Sequence, residues 1–308
     1  MEELKSDIQK IKSLEVQGAT NVAKFGLQSF NKYVKTLNIA SRDDFINKIE
    51  GASNLLKNIR PTEPCLRNGL QCVINKAKRI LTDQVATLKY AINKNSEVYL
   101  NFLSNANKKI AEYGARRIVD NSTILTHCHS SAVIEILKMA YNEGKKIKVI
   151  ISETRPMFQG RKTAKTLTEI GIETTMIVDS AMRWIVRHKP IDLILIGADS
   201  ITVEGTVLNK IGSKLLALVA EENNIPFYVA ATMLKYNPES AFGDLEVIEM
   251  RSEKEIWEKP PSNLKILNPA FETISRDLIS ALITEIGVFP PVLISEKFEY
   301  YYPFLVYE

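Results

Sequence analysis

Cysteine and histidine are scarce in this 308-residue chain, three of each. Cys65, Cys72 and Cys128 are odd in number and show no paired spacing, which excludes a disulfide framework. No window holds the roughly 18 uninterrupted apolar residues that a membrane span needs. The opening string MEELKSDIQKIKSLEVQG is charged, helical in pattern and without an apolar signal core, so a cytoplasmic protein is expected. Excess charge is also missing: 40 basic against 36 acidic residues leave a net charge of +4, interspersed along the chain. A nucleic-acid module with its concentrated basic face is thereby excluded, whereas a mild positive balance suits a small anionic substrate. Neither a Walker motif nor a GxGxxG fingerprint occurs, which argues against nucleoside triphosphate hydrolysis and dinucleotide cofactors.

What is present is a change of pattern near residue 115. A chain of this length exceeds what one core usually serves, so two domains are expected, 1–115 and 116–308. In the first, apolar residues recur at helical spacing (Leu4, Ile8, Ile11, then Val22, Phe25, Phe30, Val34), and helices are predicted over 42–57, 64–79 and 83–114. Gly18 and the 60–64 turn (RPTEP) interrupt them. Cys65 and Cys72, seven apart, share one helical face and read as core. From 120 onward short β-rich runs at 123–126, 147–152, 174–178, 192–196 and 226–231 alternate with helical stretches at 130–143, 161–171, 180–188 and 209–223. That alternation indicates an α/β domain, a parallel sheet covered by helices, behind an all-helical N-terminal domain. Residues 232–270 read as loops with an edge strand or two, and the aromatic tail KFEYYYPFLVYE as a packing element, with a subunit interface as a candidate place, rather than as chemistry.

Ligands of an open parallel sheet sit beyond the carboxyl ends of its strands. There the sequence places His127, Cys128, His129 and Ser130, then Glu153, Thr154 and Arg155, then Asp179, then Gly197 to Ser200. Cys128 precedes the helix SSAVIEILKMA, and helix amides favour a thiolate, lowering a cysteine pKa from about 8.5 to roughly 3.5–7.5. It reads as a base or nucleophile, or else as a buried spectator thiol. His127 and His129 point away from the cysteine face of an extended segment, so no metal site is expected. Asp199 ends the most apolar run and reads either as a proton donor with a raised pKa or as a turn cap. Asn209–Lys210 reads as a helix opening, Asn209 its cap, Lys210 an anion ligand or a solvated lysine. Two further glycine-bearing spots suit phosphate, Arg155–Arg161 and Gly18–Ala19–Thr20–Asn21.

Together THCHS (126–130), ETRPMFQGR (153–161), GADSITVEGTVLNKIGS (197–213) and PFYVAA (226–231) resemble the superfamily of methylthioribose-1-phosphate isomerase, archaeal ribose-1,5-bisphosphate isomerase and the regulatory subunits of translation initiation factor 2B. QGATNVAK (17–24) and RPTEP echo its N-terminal elements, while LEVIEMR (245–251), LNPAFE (267–272) and TEIGVFPP (284–291) look most like the archaeal ribose-1,5-bisphosphate isomerases. The resemblance implies a Rossmann-like C-terminal domain and isomerisation of ribose 1,5-bisphosphate to ribulose 1,5-bisphosphate within AMP salvage. It puts the catalytic cysteine on Cys128, the catalytic aspartate on Asp199, and substrate contacts on Gly18, Ala19, Thr20, Asn21, Arg60, Arg155, Asn209 and Lys210. It implies no metal or redox cofactor, AMP as a candidate activator, and a homodimer or trimer of dimers. Where the isomerases carry Arg-Gly-Ala, this chain has Gln17-Gly18-Ala19, which removes a charge-assisted fork and is closer to the initiation-factor relatives. A noncatalytic initiation-factor-like subunit binding a nucleotide or sugar phosphate therefore stands as one alternative, and methylthioribose-1-phosphate isomerase as another. The latter prefers Cys-Asn-Thr-Gly and Gly-Ala-Asp-Arg where this chain has Cys-His-Ser-Ser and Gly-Ala-Asp-Ser.

Overall fold

The structure, a computed structural model, describes residues 1–60, 62–242 and 248–306. Pro61 of the expected turn, residues 245–247 of the LEVIEMR string and residues 307–308 of the tail lie outside the described residues. The chain groups into two compact units. One comprises Met1–Asn105, Leu234–Tyr236 and the residues from Glu296 on; the other comprises Ala106–Met233 and Asn237–Ser295.

The first unit is helical: α1 (Glu2–Lys12), α2 (Ala19–Thr36), α3 (Arg42–Lys57), α4 (Pro64–Lys78) and most of α5 (Val85–Ala115). Two of these starts follow capping chemistry. Ser41 accepts from the Asp44 amide at the head of α3, and Pro64, which has no amide hydrogen to satisfy, opens α4. Helix α2 buries Val22, Ala23, Leu27, Phe30 and Val34, the spacing that its sequence pattern announces. Cys65 and Cys72 are both buried in α4.

In the second unit β1 (Thr123–Thr126), α6 (Ser131–Asn142), β2 (Lys148–Ser152), α7 (Gln159–Ile170), β3 (Glu173–Ile177), α8 (Met182–His188) and β4 (Leu193–Gly197) alternate as expected. There follow β5 (Ser200–Thr202), β6 (Val207–Lys210), α9 (Ser213–Glu222), β7 (Phe227–Ala230), β8 (Tyr236–Asn237), β9 (Phe271–Ile274), β10 (Ala281–Thr284), β11 (Gly287–Phe289) and α10 (Ile294–Tyr301). The main sheet has seven strands in the order β11–β10–β7–β4–β1–β2–β3. All its pairings are parallel except β10 with β11. The chain therefore builds outward in one direction from β1 to β3, then restarts beside β1 at β4, with Ile124 opposite Leu193. Apolar residues from five of the strands and the flanking helices form its core, among them Ile124, Val149, Leu195, Ala230, Ile283, Ile136 and Leu167. Strand β4 is buried throughout, whereas edge strand β3 is mostly exposed.

The helix expected over 209–223 starts four residues later. Residues 207–210 instead form β6, which pairs antiparallel with β5 and β9 in a small second sheet. Ladder bonds to Phe271–Ile274, some sixty residues away, override the local helical preference of this stretch. Asn209 is consequently no helix cap. The N-cap of α9 is Gly212, whose φ of 102° lies in the left-handed region that favours glycine.

Candidate active site

Cys128 and Asp199 each lie two residues beyond the ends of neighbouring parallel strands, β1 and β4. Both are half-buried. Close packing draws the surrounding turns together. A side chain at Gly197 would meet Ser130 Oγ at 2.6 Å, so glycine there lets the head of α6 approach the end of β4. The Asp199 amide donates to the Leu208 carbonyl at 2.9 Å, which ties the end of β4 to β6 and so to Lys210. Among the described residues, none hydrogen-bonds the Asp199 carboxyl.

Burial pushes the Cys128 thiol up to about 11. The Lys210 ammonium opposes that rise, the Asp199 and Asp179 carboxylates add to it, and the His129 backbone N–H bonded to the sulfur lowers it. The lowered pKa expected from sequence is thus overturned. Helix α6 begins only at Ser131, with the Ser130 hydroxyl accepting from the Val133 amide, so its dipole does not outweigh desolvation at the sulfur. The same influences show that Cys128, Asp199 and Lys210 share one electrostatic environment. Lys210 itself lies 4.7 Å above the Phe271 ring.

The two histidines are neutral and structural in their bonding. His127, 2% exposed, is pushed down to about 4, chiefly by burial. Its Nε2 is 2.8 Å from the Ile211 carbonyl, which only accepts, so Nε2 bears the proton and Nδ1 accepts from the Ser152 hydroxyl at 2.5 Å. His129 is likewise pushed to about 4, by burial first and the Lys162 charge second, and its Nδ1 lies 2.9 Å from Thr163 Oγ1. No group of three or more His, Cys, Asp or Glu suited to a metal occurs among the described residues.

The other residues singled out from sequence divide between the units. Arg155 is exposed on the loop after β2. Its amide donates to Asp179 at 2.6 Å, and its guanidinium bonds the Ile256 carbonyl at 3.1 Å and lies 4.9 Å over the Phe158 ring. Asn209 is buried in β6 and donates to Ser213 Oγ at 2.8 Å. Gly18, Ala19, Thr20, Asn21 and Arg60 belong to the first unit. Gly18 is the N-cap of α2 at φ 85°, Asn21 donates back to the Gln17 carbonyl at 3.2 Å, and Arg60 pairs with the buried Glu63 at 3.1 Å. Gln17 donates to the Leu14 carbonyl at 2.8 Å.

Two residues of this neighbourhood, Glu272 and Thr163, escaped the sequence reading, and two more, Thr154 and Asp179, were placed at strand ends without a role. Glu272 accepts from the Gly212 and Lys214 amides at 2.6 and 2.9 Å, so the chain's own carboxylate occupies the helix start that was expected to hold a substrate anion. Asp179 takes the Thr154 and Arg155 amides, and Thr154 and Thr163 bond the backbone of Cys128. Thr154 and Asp179 do follow strand ends, a usable signal; Thr163 and Glu272 carry none.

The sequence matches the model of the initiation factor 2 subunit family over residues 15–291. It is 39% identical over 306 residues to the ribose 1,5-bisphosphate isomerase of Archaeoglobus fulgidus, covering 97% of this chain and 95% of that protein. Identity is also 39% to the protein of that name from Methanocaldococcus jannaschii, over 94% of this chain and 92% of the relative. The fold resembles the crystal structure of the Pyrococcus horikoshii OT3 translation initiation factor eIF-2B, with a TM-score of 0.82 at 29% identity, over 94% of this chain and 98% of that one.

Proposed function

The chain belongs to the initiation factor 2 subunit family, and from that membership we propose that it is an aldose–ketose isomerase converting ribose 1,5-bisphosphate to ribulose 1,5-bisphosphate. Near full-length identity of 39% to archaeal proteins of that name supports the substrate. One observation carries the site: a thiol and a carboxyl just beyond the ends of adjacent strands, the thiol inside the fields of both the Asp199 carboxylate and the Lys210 ammonium. The order β3–β2–β1–β4–β7–β10 reverses direction between β1 and β4. That supports a Rossmann-like reading, in which the reversal opens a ligand crevice beyond the strand ends.

The chemistry follows from moving one proton from C2 to C1. A phosphate on O1 blocks simple ring opening, so the C1–O4 bond has to break as O4 is protonated. Asp199 gives that proton while Cys128, as thiolate, takes the proton on C2, leaving an open-chain enol phosphate. Asp199 then takes back the O2 proton and Cys128 returns its own to C1, which yields the ketone and restores both groups. The pair holds a single proton throughout: burial keeps it on sulfur in the free enzyme, so the cycle opens with its passage from Cys128 to Asp199 as substrate binds. Each positioned acid or base contributes about 10²–10⁴ in rate. Within the second unit, Lys210, Asn209 and Arg155 supply contacts to phosphate and hydroxyl oxygens. The scheme balances without a metal or redox cofactor; AMP acts as activator rather than reactant, and the working form is a cytoplasmic homodimer or trimer of dimers.

Gln17 favours a second reading, a noncatalytic subunit, because a neutral amide replaces the guanidinium of the family's isomerases. Incubating the chain with ribose 1,5-bisphosphate, with and without AMP, and following the ketose by NMR separates the two. Turnover is expected, falling by at least about 10²-fold in Cys128→Ser and in Asp199→Asn. Absence of turnover with substrate and AMP present, together with capture of initiation factor 2, would favour the second reading.

A further inference from the structure

Cys128 adopts a left-handed backbone, φ 64°, which a non-glycine residue keeps only when its surroundings impose it. Two buried threonines do so. The Cys128 N–H donates to Thr154 Oγ1 at 2.9 Å, and Thr163 Oγ1 donates to the Cys128 carbonyl at 2.8 Å. Both threonines are at most 1% exposed. Thr154 is itself left-handed at φ 62°, an uncommon state for a β-branched residue, and Asp179 fixes it by accepting the Thr154 and Arg155 amides at 2.8 and 2.6 Å. On the other side Thr163 has spent its hydrogen on the cysteine carbonyl. His129 therefore donates Nδ1–H to the threonine oxygen at 2.9 Å, the tautomer that a neutral ring supplies. The loop after β2 and helix α7 thus converge on the backbone of one residue, with the turn after β3 holding that loop in place.

We propose that Thr154 and Thr163 are positioning residues that clamp the Cys128 backbone from its amide and carbonyl sides and so aim its thiol at the reacting carbon. The proposal rests on the reading of Cys128 as the reacting thiol. A relaxed, extended Cys128 would redirect its side chain, and a displacement of about 1 Å in such a site costs on the order of 10² in rate.

The test compares the full-length chain with Thr154→Val, Thr163→Val and the conservative Thr154→Ser and Thr163→Ser. Turnover of ribose 1,5-bisphosphate is measured beside the iodoacetamide alkylation rate of Cys128 against pH, read at the Cys128 peptide by mass spectrometry. The valine variants are expected to lose roughly tenfold to a hundredfold in kcat with KM within about twofold. Their alkylation profile shifts along the pH axis, because the sulfur moves relative to Lys210 and Asp199. Each serine variant retains most of the wild-type kcat and the wild-type profile. Valine variants with wild-type kcat and profile, or serine variants as impaired as valine, overturn the clamp. If valine prevents folding, the alanine variants take its place under the same criteria. Wild-type protein lacking turnover would remove the substrate reading alone, since the alkylation arm still decides whether the hydroxyls set the thiol.

Discussion

His127 sits at the end of β1 with both ring nitrogens engaged, and its neutrality is a condition of the fold. In the unfolded chain an imidazole binds a proton below about 6.5; in the folded protein this one resists until about 4. The unfolded state therefore holds more protons through that interval, and stability falls as pH drops from 6.5 toward 4. At pH 4.5 the loss reaches about 2 kcal/mol from this residue. Urea unfolding of wild type and His127→Gln at about pH 7.5 and 4.5 isolates it from the carboxylates. Wild type is expected to be the more stable at the higher pH, and that advantage to shrink by more than about 1 kcal/mol at the lower. A gap that does not change with pH would mean that the ring is not kept neutral by burial. Sequence could place His127 beside Cys128 but not foresee this role. It also mistook the electrostatics of Cys128, because a helix start is visible in a string whereas desolvation of the sulfur depends on what packs over it.

At the scale of elements, the turn from β6 into α9 shows where pattern reading ends. The strands at 123–126 and 193–197 and helices α6 to α8 were legible because their apolar residues recur locally at one period. VLNK carries no such period, and its identity as a strand comes from β9, whose partner residues lie far along the chain. The same long-range pairing sets Asn209 opposite Glu272, and the Glu272 carboxylate then reaches the first amides of α9. Two charge-assisted bonds at a helix N-terminus contribute on the order of 1 kcal/mol. Replacing Glu272 by Ala should lower stability by about 1–2 kcal/mol, with Gln in between, because a neutral amide oxygen still accepts but carries no charge. Denaturant midpoints at neutral pH measure this. A Gln variant as unstable as Ala would assign the effect to charge alone, and unchanged midpoints in both would remove Glu272 as the cap of α9.

The chain as a whole is assembled less locally than its sequence pattern suggests. The helical unit recruits Leu234–Tyr236 and the residues from Glu296 on to complete its core. The Asn68 side-chain amide, buried in α4, donates to the Leu234 and Tyr236 carbonyls, both at 2.9 Å. The Phe298 ring stacks on Tyr236 at 4.2 Å and lies 5.4 Å from Tyr302, which meets Phe102 edge-on at 5.6 Å. The aromatic tail thus packs within its own chain, around a fully buried Phe298. Composition announced that these rings would pack, but the choice of partners rests on contacts far apart in sequence, Phe298 with Tyr236 and Tyr302 with Phe102. Truncating Phe298 to Ala removes apolar surface and leaves a cavity among rings that cannot close over it, which typically costs about 3–5 kcal/mol. Chain ends are usually the first parts to fray, so if the tail were only laid on the surface the same substitution would cost below about 1 kcal/mol. Calorimetry of the full chain decides between them. A midpoint lowered by many degrees is expected, and a shift within about two degrees would show that the helical unit holds together without its C-terminal strap.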